Sequence, residues 1–309
     1  MKKILIVGIG GVGGYYGGML SRHFENDQQT NIYFLARGAH LEKIQKDGLT
    51  IQAETETFVT HPTLATNQAA EIGEVDIAII TPKSYDLEST IDQIRPCIGQ
   101  NTIILPLLNG VNISERIRQM LPGNEVWEGC VYIVGRLIAP GTIRSNGGVH
   151  DLYFGNAGGQ SPTLNEMNQI MLAAGIKAHL CSDIRMIIWR KFIFISVTAT
   201  LTSYYNVGFR DLLTTDERKA MTLKLLHEIA ALAAAEGVVF EHDIIETTIK
   251  HIERLPFETT SSMNSDFRAG NRTELETLTG IVVELGKKQG IETPTYNIVY
   301  KNLILKQCN

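Results

Sequence analysis

Apolar residues in the first half of the chain come as short continuous runs. Residues 3–7, 31–35, 75–81 and 101–106 (KILIV, NIYFL, VDIAIIT, NTIILP) are each almost uninterrupted, and helix-length segments separate them. Such a run is how a strand reads when both faces of its sheet are covered, which is the condition of a parallel sheet. Residues 12–24 carry a helical pattern that includes Gly17 and Gly18. Glycine costs a helix stability, so two of them imply close contact with the sheet. Ile51, Ala53, Thr55, Thr57 and Val59 fall on alternate positions, the pattern of a half-exposed strand pair. Glycines and β-branched residues over 126–154 predict several shorter strands. A helix is predicted at 164–174, and a last strand at 177–181.

Beyond residue 183 the strand signals stop. Residues 184–205, 216–236, 242–255 and 273–289 all read as helices. Asp216 is a candidate N-cap, and Gly237 a stop, for the second of them. Met221, Leu225, Ile229 and Leu232 mark its buried stripe. Thr273 and Glu276 have capping-box spacing, and Ser261 and Ser262 could be caps as well. The predicted architecture is α/β: a Rossmann-like, doubly wound parallel sheet over residues 1–182, followed by an all-helical domain over 183–309.

The first strand runs directly into a glycine loop made of Gly8, Ile9, Gly10, Gly11, Val12 and Gly13. Gly8, Gly10 and Gly13 match G-x-G-x-x-G between a strand and a helix, the context that makes the motif informative. The first glycine permits the tight turn, the second a close approach of backbone to pyrophosphate, and the third close packing of the helix on the strand. The helix N-terminus adds unpaired N–H groups and the positive end of its dipole. The second strand ends at Arg37, twenty-four residues past Gly13, and no acid lies between Asn31 and His40. An NAD site usually places an acid here for the ribose hydroxyls. A permanently charged planar guanidinium suits a 2′-phosphate instead, although a solvated loop arginine is the simpler alternative. The cofactor reading is therefore NADP.

Composition narrows the class without changing the fold. The chain has 309 residues, 44% apolar and 20% charged, and a net charge of −5. That is globular, with apolar material for two cores, and gives nucleic-acid binding no electrostatic support. Cys97, Cys130, Cys181 and Cys308 are far apart without a C-x-x-C pair, so they read as reduced thiols rather than a disulfide framework or a metal site. Lys2 and Lys3 before an apolar run imitate a secretory leader. The run is too short and lacks a small-residue cleavage site, and no apolar stretch reaches membrane-spanning length. A cytoplasmic location without membrane association is expected.

Candidate chemistry lies at the strand ends and in the helical half. Lys83 follows the third apolar run, within reach of a cofactor phosphate or ribose. Asn109 follows the fourth and carries both a donor and an acceptor. Either could be an ordinary loop residue. Lys191 borders the very apolar KFIFISVTATL. Burial of an unpaired ammonium is costly, so the lysine either snorkels to water or serves as a proton donor to a developing alkoxide.

The order G-x-G-x-x-G, LAR, TPK, LLNG, WRK, SSM and RTE along nearly the whole chain resembles the ketopantoate reductase (2-dehydropantoate 2-reductase) family. The resemblance implies that Lys191 is the general acid and that Ser262 binds the substrate carboxylate. It implies that Glu274 contacts substrate and cofactor, with Asn109 as the asparagine of the N-G motif. Arg37 and Lys83 become the basic residues that select NADPH, and Gly135 the small residue near the nicotinamide. The implied reaction is NADPH-dependent reduction of a 2-keto acid, with 2-dehydropantoate as leading substrate in pantothenate biosynthesis. The implied partner is that small molecule, and a homodimer is the candidate assembly. The chain departs from the family where asparagines are expected, with Ile195, Ala199 and Phe209 in their place. None can replace an amide's hydrogen bonds; Ser196 and Thr198 are possible substitutes, but on another face of the helix. A reductase for a more apolar 2-keto acid, or a non-catalytic NADP-binding regulator, are the alternative readings.

Overall fold

A computed structural model describes residues 1–156, 158–159 and 161–307. Two compact units emerge. One comprises Met1–Leu108 and Asn112–Ile184, and the other Asn109–Val111 and Arg185–Asn309. Cys308 lies outside the described residues.

In the first unit the chain runs β1 (Lys2–Val7), α1 (Gly11–Phe24), β2 (Thr30–Leu35), α2 (Gly38–Asp47), β3 (Leu49–Gln52), β4 (Thr57–Thr60), β5 (Leu64–Thr66) and β6 (Ile77–Ile80). It continues through α3 (Leu87–Ile94), β7 (Ile103–Pro106), α4 (Ile113–Met120), β8 (Glu128–Ala139), β9 (Thr142–Gly155), α5 (Pro162–Ala173) and β10 (Lys177–Leu180). Five strands form a parallel sheet in the order β5-β2-β1-β6-β7. The chain order reverses between β1 and β6, the switch point where such sheets bind ligands. Ile4, Ile6, Ile32 and Phe34 face one core, and Leu5, Val7, Tyr33 and Leu35 the other. That two-sided burial explains the unbroken apolar runs.

A second sheet has the order β10-β9-β3-β4, with β8 paired to β9. Here the expectation of several short strands over 126–154 is corrected. Two long antiparallel strands, of 12 and 14 residues, fill the segment. The glycines that read as breaks lie inside the ladder. The register shifts between Ile133 and Val134, and Gly147 and Gly148 absorb it with positive φ. Gly17 and Gly18 do lie close against sheets. A side chain at Gly17 would meet Ile6 and Phe34 at 3.1 Å, and one at Gly18 would meet Ile51 at 2.8 Å.

The helical unit holds α6 (Ile184–Tyr205), α7 (Asp216–Ala235), α8 (Ile244–Arg254), α9 (Ser262–Arg268), α10 (Ile281–Gln289) and α11 (Pro294–Gln307). Two capping expectations are corrected. Thr215, not Asp216, caps α7, its hydroxyl accepting from the Arg218 N–H, while Asp216 sits in the first turn beside the positive helix end. Thr273 and Glu276 form no capping box. Thr273 donates to Gln307 Oε1 at 3.0 Å, and Glu276 accepts from the Tyr300 hydroxyl at 2.5 Å. Partners on α11 outcompete the local cap, and the segment Glu276–Gly280 winds as a π-helix ahead of α10. Among the described residues no helix is long and apolar enough to cross a membrane.

Candidate active site

In the first unit the glycine loop sits at the end of β1, at the switch point. Gly8 has φ +88°, a conformation that disfavours any side chain. A Cβ at Gly10 would meet nothing within 4 Å, so the backbone there faces open space. A Cβ at Gly13 would collide with the Gly8 carbonyl oxygen and the Thr81 hydroxyl. The Thr81 hydroxyl lies 2.8 Å from Val7 O and 2.6 Å from Gly8 O, so the end of β6 holds the turn. No side chain caps α1, and its first turn has no acid. Its leading amides and dipole therefore suit an anion. These features fit a dinucleotide pyrophosphate.

Replacing Gly13 with alanine forces a backbone collision that rotamers cannot relieve. The expected outcome is a loss of about 1–3 kcal/mol of stability, as for other overpacked sites. Chemical denaturation checks it. An unchanged midpoint would show that the loop has slack.

Gly135 comes up against this loop. A Cβ at Gly11 would strike the Gly135 carbonyl, and one at Gly135 would lie 2.6 Å from Gly11 O. The hairpin glycine and the loop glycine are thus in mutual backbone contact. Arg37 stands just before α2, its side chain 89% exposed and 3.8 Å from Asp86 Oδ2. Lys83 lies in the short turn after β6, ahead of Asp86, and is partly buried.

In the helical unit, Lys191 lies two turns into α6. Trp189, Phe192 and Ile193 bury themselves around it, while Lys191 itself is half-buried. Its Nζ donates to Asn109 Oδ1 at 2.8 Å, joining two residues 82 positions apart. Gly110 next to Asn109 has φ +121°, which shapes that loop.

Helix α6 also organises the other candidates. It carries a buried row of hydroxyls, and each of those that follow has a partner. Thr202 is 2.8 Å from Ser261 Oγ, and Ser261 caps α9 by accepting from Asn264 N–H. Ser262 follows at once, exposed. Ser196 donates to Leu278 O at 2.6 Å, and Thr200 is 2.7 Å from Thr279 Oγ1. Both bonds clamp the π-turn that follows Glu274, which is itself 6% exposed. A helix with one lysine thus fixes the backbone next to Ser262 and Glu274.

The substituted positions differ from one another. Ile195, one turn past Lys191 on the same face, is partly exposed. Ala199 is 3% exposed and packs in the helical core, so it presents little surface. Phe209 caps a short turn, its ring 6.2 Å from that of Phe194. Ser196 and Thr198 do not stand in for the absent amides. Ser196 bonds Leu278 O and the Tyr296 hydroxyl in the core, and Thr198 returns to Phe194 O.

Sequence reasoning missed Thr81 as the clamp of the glycine loop, His40 beside it, and the hydroxyl row of α6. Thr81 had a signal in the TPK motif. The others had none, because their partners are distant in sequence.

Comparison with known proteins identifies the family and the fold. The model for ketopantoate reductase PanE/ApbA matches residues 4–159, and that for the C-terminal part of the same family matches residues 183–307. The chain is 30% identical over 304 residues to the uncharacterized oxidoreductase YkpB of Bacillus subtilis (strain 168), covering 97% of each chain. It is 27% identical to 2-dehydropantoate 2-reductase of Mesorhizobium japonicum, covering 96% of this chain and 95% of the relative. The crystal structure of 2-dehydropantoate 2-reductase from Porphyromonas gingivalis W83 superposes with a TM-score of 0.86 at 38% identity, covering 98% of this chain and 99% of the other. With both parts of the family model matched in order, and a parallel sheet followed by helices as in its solved structures, this chain is an oxidoreductase belonging to the ketopantoate reductase family.

Proposed function

We propose that this chain reduces a 2-keto acid to the 2-hydroxy acid with NADPH, with 2-dehydropantoate as the leading substrate and pantothenate biosynthesis as its setting. The observation that carries the reading is the Lys191 ammonium, held 2.8 Å from Asn109 Oδ1 within an apolar stretch of α6. Such a head group is oriented by its partner and has the chemistry of a proton donor. A solvated surface lysine needs no such partner, and a nucleotide-binding regulator needs no proton donor.

When bound, NADPH supplies the hydride from its nicotinamide. The remaining work falls to side chains and backbone of this chain. The amides of residues 8–13 would hold the pyrophosphate, and Arg37 and Lys83 the 2′-phosphate. Gly135, as the small residue of the hairpin, would let β8 close against Gly11 of that loop. Ser262 hydrogen-bonds the substrate carboxylate. Asn109 orients Lys191, and Glu274 positions the substrate and the lysine. Lys191 would donate the proton that makes the alkoxide oxygen of the reduced keto group a hydroxyl. The test is loss of reduced-nicotinamide absorbance with a panel of 2-keto acids. No turnover of any of them, with NADPH still bound, would favour the regulator.

The identity at position 195 bears on which acid is preferred. An apolar side chain one turn from Lys191 gives a substrate hydroxyl no partner, and an unmade hydrogen bond weakens discrimination for that hydroxyl. Branched apolar 2-keto acids should therefore be reduced with kcat/KM approaching that of 2-dehydropantoate. Ile195→Asn should move the ratio of the two toward 2-dehydropantoate by about tenfold, the effect of one ordinary hydrogen bond. Efficient 2-dehydropantoate reduction by the unaltered chain, with no shift in the variant, would show that another group meets the hydroxyl.

A further inference from the structure

His40 stands three residues past Arg37, in the first turn of α2, with its ring half-buried. Two backbone groups from distant segments meet this ring. Its Nε2 is 2.7 Å from the carbonyl oxygen of Ile9, inside the glycine loop. Its Nδ1 is 2.8 Å from the backbone nitrogen of Gly141, in the turn between β8 and β9. The chemistry fixes the tautomer. A backbone N–H can only donate, so Nδ1 accepts, the ring proton is on Nε2, and Nε2 donates to Ile9. Burial pushes the ring's pKa below the usual histidine value, which favours this neutral form.

The bond to Ile9 matters because of where that peptide lies. A trans peptide is planar, with its C=O and the following N–H pointing opposite ways. A carbonyl of Ile9 held toward His40 therefore turns the Gly10 N–H away from it. Gly10 is the loop position with open space where a side chain would be. The same hairpin also presses on the loop from its strands, through the contact between Gly135 and Gly11. His40 thus ties together the loop, the helix that starts beside Arg37, and the hairpin turn.

We propose that His40 is a positioning residue for nucleotide binding: by bridging Ile9 and Gly141 it fixes the glycine loop with the Gly10 N–H aimed at the dinucleotide phosphates. The inference rests on the cofactor reading given under the proposed function. Without the ring, the Ile9–Gly10 peptide can rotate, and the loop must be ordered at the expense of binding.

Titration of the full-length protein with NADPH, followed by fluorescence, provides the test, alongside kcat, KM and thermal melting. His40→Ala should raise both Kd and KM for NADPH by about tenfold, the value of one or two hydrogen bonds, with a much smaller change in kcat. His40→Gln keeps a donor and an acceptor on one side chain and should recover most of the affinity. Unchanged Kd in His40→Ala would overturn the proposal and leave the cofactor reading intact. Equal losses of affinity in both variants, tracking a fall in melting temperature, would make His40 a fold element only and overturn it too. Failure of the unaltered protein to bind NADPH or NADH would remove the cofactor reading and this inference with it.

Discussion

Lys191→Ala should lose about 10²–10⁴-fold in kcat on whichever 2-keto acid the chain accepts, the range for removing a general acid. NADPH affinity should stay near that of the unaltered protein, because the glycine loop and Arg37 belong to the first unit and Lys191 to the second. The Asn109 oxygen orients Lys191 Nζ at 2.8 Å. That leaves two ways for the lysine to act: by charge alone, or by giving up its proton. Lys191→Arg separates them. A guanidinium keeps the charge but does not release a proton at neutral pH. If proton donation matters, the arginine variant should be nearly as slow as the alanine variant. If charge suffices, it should recover much of the rate. Near-normal kcat in Lys191→Ala would show that the lysine merely snorkels from an apolar helix, and the reaction proposed above would lose its acid.

The legible parts of this chain were those written in local pattern. Continuous apolar runs gave β1, β2, β6 and β7, because each is buried on both faces. The change from strand runs to helical periodicity near residue 183 marked where the sheets end. The misread parts have one physical cause in common: a partner far away in the chain overrode a local signal. The glycines over 126–154 read as signs of shorter strands, yet the β8–β9 ladder continues on both sides of a bulge at Gly147 and Gly148. Thr273 had the spacing of a cap but found Gln307 instead. The candidate site divides the same way. Asn109 and Lys191 were each singled out from their own neighbourhoods, and the structure adds the 2.8 Å bond between them. The hydroxyls of α6 that brace the segments beside Ser262 and Glu274 look like an ordinary Ser/Thr-rich helix until their partners, 59 to 82 residues on, are in place. The π-turn after Glu274 likewise depends on Ser196 and Thr200, which no pattern around residue 274 encodes.

Cofactor choice should turn on Arg37. The unaltered protein is expected to bind NADPH more tightly than NADH by about ten- to a hundredfold, the worth of a charge-assisted bidentate contact at roughly 1.5–3 kcal/mol. The low end of that range is the better expectation, because the guanidinium is exposed and has Asp86 as a neighbour at 3.8 Å. An exposed pair at that distance is worth little by itself, so a phosphate can displace the carboxylate at small cost. Exposure also predicts that the preference shrinks as salt is added, since the Debye length falls to a few ångströms near 1 M. Arg37→Asp should erode the preference or reverse it. An aspartate there would repel the 2′-phosphate, together with Asp86, and could accept hydrogen bonds from the ribose hydroxyls of NADH. Lys83, in the turn that carries Asp86, should keep some attraction for the phosphate, so reversal need not be complete. The measurement is Kd for both nucleotides, in both proteins, at low and high salt. Equal affinity of the unaltered protein for NADPH and NADH would assign Arg37 to solvent and leave the choice between NADP and NAD to other residues.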